Sequence, residues 1–344
     1  MAEQNPEPEP VGSHGTQPGI AVKPGHQRVR ILAPSRLHFG LVGMSSESVR
    51  AFGGMGVSIW HHFTEVVAER NPAGIAVFGT EPHEELRITK ALAELSCDQV
   101  AIRVVNRPPR HYGFGSGTSL LLSCLEAAML IRSGTVARQE IVRASCRGGA
   151  SGVGLSTYFS GGVVGDWGHR SAVREFTPSG ATVQSFVPPP RAFALKWPST
   201  WPLVVAYPSD HLGFSGDEEL KFMQANTPIP LQQSALAALS LLFETPASIQ
   251  ARDFAGFRDA LRRSTETGFK ARELERVEHV ARVVKNLREF NTAAATMSSF
   301  GPVLAIAAET SRSMSEVLAS GAIPSNWVAI KGRAASTGRK IFVY

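Results

Sequence analysis

The run HYGFGSGTSLLLS, from His111 to Ser123, sets glycines at 113, 115 and 117 immediately before an apolar segment. Three alternate positions without a Cβ let the backbone take positive φ and approach a ligand closely. Ser116, Thr118 and Ser119 suit the first turn of a helix that continues through Leu120, Leu121, Leu122, Leu125, Ala128 and Met129. The unpaired N–H groups and positive dipole end of that helix would face the loop, a geometry that suits phosphate or diphosphate. No Gly-Lys-Ser/Thr follows, so this is not the common P-loop, and the last glycine is misplaced for a dinucleotide fingerprint. Taken alone, the run reads equally well as a tight glycine turn ahead of a buried helix.

The 344 residues around it, 43% hydrophobic and 19% charged, suffice for two domains or one large one with a sizeable core. A net charge of +6 is modest for this length and fits an anionic small substrate. No basic run interleaved with aromatics marks a nucleic-acid groove. Cys97, Cys124 and Cys146 lack disulfide or metal spacing, which points to a reducing compartment. No apolar stretch approaches the about 20 residues of a membrane-spanning helix, and the N-terminus lacks a signal peptide pattern. A cytoplasmic protein without membrane contact is expected.

Residues 1–27 carry five prolines and few bulky apolar side chains, and are expected to form a disordered tail. Val29, Ile31 and Ala33 alternate with Arg28, Arg30 and Leu32 as a strand that Pro34 ends, before a second extended piece over 35–41. Gly53, Gly54 and Gly56 read as a turn, followed by strands over 57–60 and 64–69, a helix over 82–95 and a strand through Val100, Ile102 and Val104. After the opening loop and its helix come a short helix over 138–146 and a second glycine-rich segment, RGGASGVGLSTYFSGG over 147–162, closing on a strand at 163–166. Pro188, Pro189 and Pro190 mark the expected boundary between lobes spanning 28–187 and 191–344. The second lobe reads as a strand at 203–207 and helices over 216–289 with breaks at Pro228, Pro230 and Pro246. It ends in strand 303–307, helix 309–319 and strands 326–330 and 339–343. Without regular βαβ alternation, these elements predict an α+β fold of two lobes, with the ligand site in the cleft between them.

Arg36 and His38 alternate with Leu37 and Phe39, so both point to one face of a strand while the apolar pair packs on the other. Arginine fits a carboxylate or phosphate, and the histidine can donate or shuttle a proton. Asp166 reads either as a metal ligand or as the cap of the turn Asp166-Trp167-Gly168. Arg147 opens the second glycine segment and reads either as a site residue or as a solvated helix end. The group Arg262, Arg263, Lys270 and Arg272 is expected on the exposed face of helices.

Three segments in this order, PSRLHFG at 34–40, GFGSGTS at 113–119 and SSFGP at 298–302, resemble the three motifs of the GHMP kinase superfamily. The likeness covers nearly everything after residue 28. It implies an N-terminal lobe like ribosomal protein S5 domain 2, a ferredoxin-like C-terminal lobe and a phosphate-holding loop between them. Within the superfamily the chain is similar to the β-ribofuranosylaminobenzene 5'-phosphate synthase family. That likeness rests on RLHFGL at 36–41, RGGASGVG at 147–154, and Gly161-Gly162 followed by DWGHR at 166–170, with LGFSG at 212–216, Glu218 and Glu219 adding to it. Phe114 and Phe214 stand where leucine is commoner, and Trp167 where glycine is. Small-molecule kinases of the superfamily carry Ser-Gly-Val-Asp, its aspartate the catalytic base, where this chain reads Ser151-Gly152-Val153-Gly154. Without that carboxylate a phosphoryl-transfer enzyme loses a group worth about 10² to 10⁴ in rate.

The resemblance implies decarboxylating phosphoribosyl transfer from phosphoribosyl pyrophosphate to 4-aminobenzoate or 4-hydroxybenzoate, the first step of methanopterin assembly. Gly113, Gly115, Ser116, Gly117, Thr118 and Ser119 would hold the diphosphate, with Mg²⁺ bridging its oxygens and Asp166 a candidate metal ligand. Arg36, His38, Asp166 and His169 are the candidate catalytic residues. Arg147, Ser151, Ser299, Gly301 and Arg170 are candidates for substrate binding, His169 and Arg170 toward the benzoate carboxylate or the ribose phosphate. A homodimer is expected from the family. An ATP-dependent small-molecule kinase and an inactive ligand-binding homologue are the alternatives.

Overall fold

The computed structural model describes residues 27–170, 187–210 and 216–344. The expected tail lies outside the described residues except for Gln27, and so does Leu212 to Ser215. In chain order the first part runs β1 (Arg28–Val42), β2 (Arg50–Ala51), β3 (Gly53–Arg70), β4 (Ala76–Phe78), α1 (Pro82–Glu94) and β5 (Val100–Asn106). It continues with α2 (Ser116–Ser133), α3 (Arg138–Ser145), α4 (Val153–Ser160), β6 (Val163–Asp166), β7 (His169–Arg170) and β8 (Arg191–Leu195). Next come β9 (Leu203–Pro208), α5 (Asp217–Asn226), α6 (Leu231–Leu239), a π-helical turn at Ser240–Glu244, α7 (Thr245–Ala251) and α8 (Phe254–Glu266). The chain closes with α9 (Gly268–Glu275), α10 (Glu278–Leu287), β10 (Ala293–Met297), β11 (Leu304–Ala308), α11 (Ser311–Ala319), β12 (Trp327–Gly332) and β13 (Lys340–Val343).

Two long antiparallel strands, β1 and β3, form the spine of a seven-stranded sheet ordered β13-β1-β3-β5-β4, with β6 on the first half of β3 and β8 on β6. The sheet therefore draws strands from both sides of Pro188 to Pro190. Pro34 does not end the first strand. The neighbour β13 reaches only to Leu32, and the β1–β3 register shifts between Ala33 and Ser35, so the missing N–H falls where no ladder bond is needed. Gly54 and Gly56 likewise lie within β3 rather than in a turn. A Cβ on Gly54 would stand 2.9 Å from His38 Nε2, and one on Gly56 would stand 2.8 Å from Val153 Cγ1, so these glycines make room for the site and for α4.

Helix α2 is buried from Ser119 to Leu130 and is apolar nearly all round, as befits a helix packed between a sheet and further helices. The second glycine segment contains an unexpected helix, α4, anchored by the buried Val153, Leu155 and Tyr158. In the C-terminal part the sheet is ordered β10-β11-β9-β12, and the chain order β9, helices, β10, β11, α11, β12 is the ferredoxin-like arrangement. Both of its faces are covered. Leu203, Val205, Ala305 and Ala307 face Trp201 and Phe257, while Val204, Ala206, Leu304 and Ile306 pack with the valines of α10.

Pro246 does not break the helical run from Leu231 to Ala251. It falls in the first turn of α7, just after the π-helical turn, and Thr245 Oγ1 donates to Ser240 O at 2.7 Å. Lys270 is not on an exposed face; it is buried and paired with Glu273. Among the described residues no helix is long and apolar enough to cross a membrane.

Candidate active site

The glycine loop, β1 and the Ser298–Gly301 turn meet around a cavity of about 350 Å³. Gly115 caps the start of α2 with φ +72°, and a Cβ there would lie 2.7 Å from Arg36 Cγ, so glycine is required by conformation and by space. The cavity is lined by Gly113, Gly115, Ser116, Gly117 and Thr118, with the first-turn amides of α2 opening on it. Arg36 runs beneath this loop. Its backbone N–H donates to Phe114 O at 3.0 Å, and its Nη1 donates to Gly113 O and Ser299 Oγ, each at 3.1 Å. Arg36 Nε has no acceptor, and burial pulls the guanidinium down to about 10 against the opposing charge of Glu219.

His38 is pinned through its backbone: its N–H donates to Ser298 Oγ at 2.8 Å, and its carbonyl accepts from Ser299 N at 3.0 Å. Its ring Nε2 lies 3.3 Å from Ser151 Oγ, and Ser151 Oγ donates to Asp166 Oδ2 at 2.9 Å. Because the serine proton goes to the carboxylate, His38 Nε2 carries the hydrogen in this chain of contacts and Nδ1 is left as the acceptor. Burial, then the Arg36 and Lys270 charges, hold His38 well below its ordinary value, so the ring is neutral. Burial pushes the Asp166 carboxyl up to about 7, although bonds from Gly168 N, Ser151 Oγ and Gly152 N favour its charged form.

The predicted residues separate into two groups. Arg36, His38, Arg147, Ser151, Ser299 and Gly301 line the cavity with the loop. Asp166, His169, Arg170 and Ser119 do not. Both Asp166 oxygens are taken by the second glycine segment and by the turn at Gly168, the turn-capping geometry. His169 Nε2 lies 2.9 Å from Gly148 O, bracing that segment from behind. Arg170 is exposed and pairs through β7 with Arg50, while Ser119 Oγ meets Thr64 Oγ1 at 2.9 Å between α2 and β3.

Two cavity residues escape a reading by motif. Arg87 belongs to α1, whose pattern marks only an amphipathic helix. Glu219, in the first turn of α5, is visible only as part of the synthase likeness; burial first, then the like charge of Glu273, pushes its carboxyl up to about 7.

No family model matches the chain. Solved structures similar to it over its length include homoserine kinase from Cytophaga hutchinsonii (TM-score 0.61, 14% identity, 92% of this chain and 98% of that one). Mevalonate diphosphate decarboxylase from Staphylococcus aureus is similar at TM-score 0.58 and 14% identity, over 92% and 98% of the two chains. The fold is thus that of the GHMP kinase family. Among curated relatives, the β-ribofuranosylphenol 5'-phosphate synthase of Archaeoglobus fulgidus is 31% identical over 281 residues, 80% of this chain and 86% of the relative. That of Methanothermobacter thermautotrophicus is 28% identical over 287 residues, 80% and 87% of the two chains. The chain belongs to this synthase family.

Proposed function

We propose that the chain joins C1 of phosphoribosyl pyrophosphate to the carboxylate-bearing carbon of a para-substituted benzoate, releasing CO₂ and diphosphate. The relatives are named for a phenol product, which favours 4-hydroxybenzoate over 4-aminobenzoate as the acceptor. The observation that carries the reading is Gly154. It lines the cavity, a Cβ on it would stand 3.3 Å from Thr118 Cγ2, and it sits in the frame where kinases of the superfamily hold their catalytic aspartate. A hydroxyl attacking a phosphate would find no base there.

In the proposed reaction the C1–O bond to diphosphate breaks as the C1–C bond forms, and the electron pair that held CO₂ returns to the ring. The α2 amides and Arg36 take up the charge that builds on the departing diphosphate. Neutral His38, with Nδ1 free to accept, is the group we assign to the para hydroxyl, whose hydrogen bond to it enriches the attacking carbon. Magnesium fits as an ion carried largely by the substrate. Of the carboxylates on the cavity wall, Glu84 and Glu273 are ion-paired and Glu219 is the one that would share it; Asp166 is already engaged, and no group of three or more His, Cys, Asp or Glu suited to a metal occurs among the described residues. When bound, Mg²⁺ neutralises the leaving diphosphate. The family's homodimer and a reducing, cytoplasmic setting belong to the same proposal; no disulfide joins the three cysteines, which suits that compartment, and a monomer by light scattering removes the dimer.

The test mixes the protein with Mg²⁺, phosphoribosyl pyrophosphate and carboxyl-labelled 4-hydroxybenzoate or 4-aminobenzoate. Labelled CO₂ released only in the presence of the sugar donor is the expected result. ATP consumed with an alcohol acceptor and no CO₂ overturns the reading.

A further inference from the structure

Three cavity arginines remain once the diphosphate has been given to the α2 amides and Arg36; Arg110 is paired with Glu84, which leaves Arg87 and Arg147. Arg87, on α1, stands one turn beyond Glu84, but that carboxylate is already committed: Arg107 Nη1 lies 2.5 Å from Oε2 and Arg110 Nε 3.4 Å from Oε1. Arg147 follows Cys146, whose φ of +49° ends α3 and turns the chain toward the cavity. Its Nη2 makes a long 3.4 Å contact with Gly117 O, and its Nε has no acceptor. Among the described residues neither arginine has a carboxylate within ion-pair distance. Burial first, and the neighbouring Arg87 charge second, pull the Arg147 guanidinium down to about 9.

Arg87 and Arg147 are half-buried on the wall of one cavity, and Glu219, the opposing charge that acts on Arg147, makes no ion pair with either; like charges so placed are costly unless an anion arrives between them. A ribosyl donor brings two separate anions, the diphosphate on C1 and the phosphate on C5. We infer that Arg87 and Arg147 form a second anion subsite of this cavity, which receives the 5'-phosphate of the donor. This rests on the phosphoribosyl reading given above. The competing anion is the acceptor carboxylate, and the chemistry argues against it. That carboxylate must leave as neutral CO₂, so a pair of guanidinium groups would stabilise the ground state and surrender the interaction in the transition state. The 5'-phosphate keeps its charge throughout, and a bidentate arginine clamp positions the sugar without opposing any step.

The test titrates the intact protein calorimetrically with two probes, inorganic diphosphate and ribose 5-phosphate, alone and together. Both should bind at once. Arg87→Gln should weaken ribose 5-phosphate about tenfold or more, the worth of one charge-assisted contact, and leave diphosphate nearly unchanged. The same variant should raise KM for the donor more than it lowers kcat, and Arg147→Met should repeat the pattern if Arg87→Gln folds poorly. Competition of the two probes for one site overturns the subsite, as does equal weakening of both or of neither. Failure of the underlying reading looks different: the unmodified protein then forms no product from the donor and either benzoate, even with both probes bound.

Discussion

Arg339 and Arg147 both bring a guanidinium to α2, the first beside Glu126 and the second beside Gly117. Arg339 is fully answered: Nε donates to Glu126 Oε2 at 2.8 Å, Nη2 donates to Oε1 at 2.5 Å, and Tyr158 OH donates to Oε2 at 2.7 Å. Arg147, like Arg36 and Arg87, faces the cavity with no carboxylate within ion-pair distance among the described residues. The two regions differ in where the counter-charge comes from. At Glu126 the chain supplies it, and the result is a strut between the approach to β13 and α2; at Gly117 it must come from outside, and the result is a binding site.

The contrast breaks first if Arg36 behaves like a strut. Arg36→Ala should cut turnover by about 10³-fold, the scale for losing a donor that meets developing charge, while the Tm stays close to that of the unmodified protein. Steady-state kinetics and differential scanning fluorimetry on one preparation decide it, and a large fall in Tm would mark Arg36 as structural. Glu126→Gln should do the reverse, costing about 3 kcal/mol in urea unfolding by leaving Arg339 without its anion, with KM for both substrates unchanged. The smallest effect sharpens the comparison at Glu219. Its carboxyl is raised from 4.5 to about 7, so the folded state favours the protonated form and loses stability as pH rises across that interval. Glu219→Gln should therefore melt a few degrees above the unmodified protein at pH 8 and converge with it below pH 5; a pH-independent difference removes the buried-charge account.

Much of this was legible in residue order. The glycines at 113, 115 and 117, the Arg36–His38 alternation and the Ser298–Pro302 turn each carry a local backbone requirement, and the cavity joins them. The Gly53–Gly56 cluster misled because a glycine that makes room for His38 in a strand looks the same in sequence as a glycine that turns. Strand β10 was invisible, since AAATM has little of the β-branched and aromatic content that marks strands and is placed there by its neighbour β11. Asp166 and His169 adjoin the site in sequence, yet their side chains point into the second glycine segment, a direction fixed only by tertiary packing. Arg87 carries no motif because its role is defined by what fails to pair with it.

Strand β13 joins the same sheet that β1 begins. During synthesis, every element from β2 to β12 must leave the ribosome before β1 meets its outer neighbour, and until then β1 presents a bare edge to whatever is nearby. A gene split at Pro188 to Pro190 would give neither product a finished sheet, so the architecture resists inheritance as two separable modules.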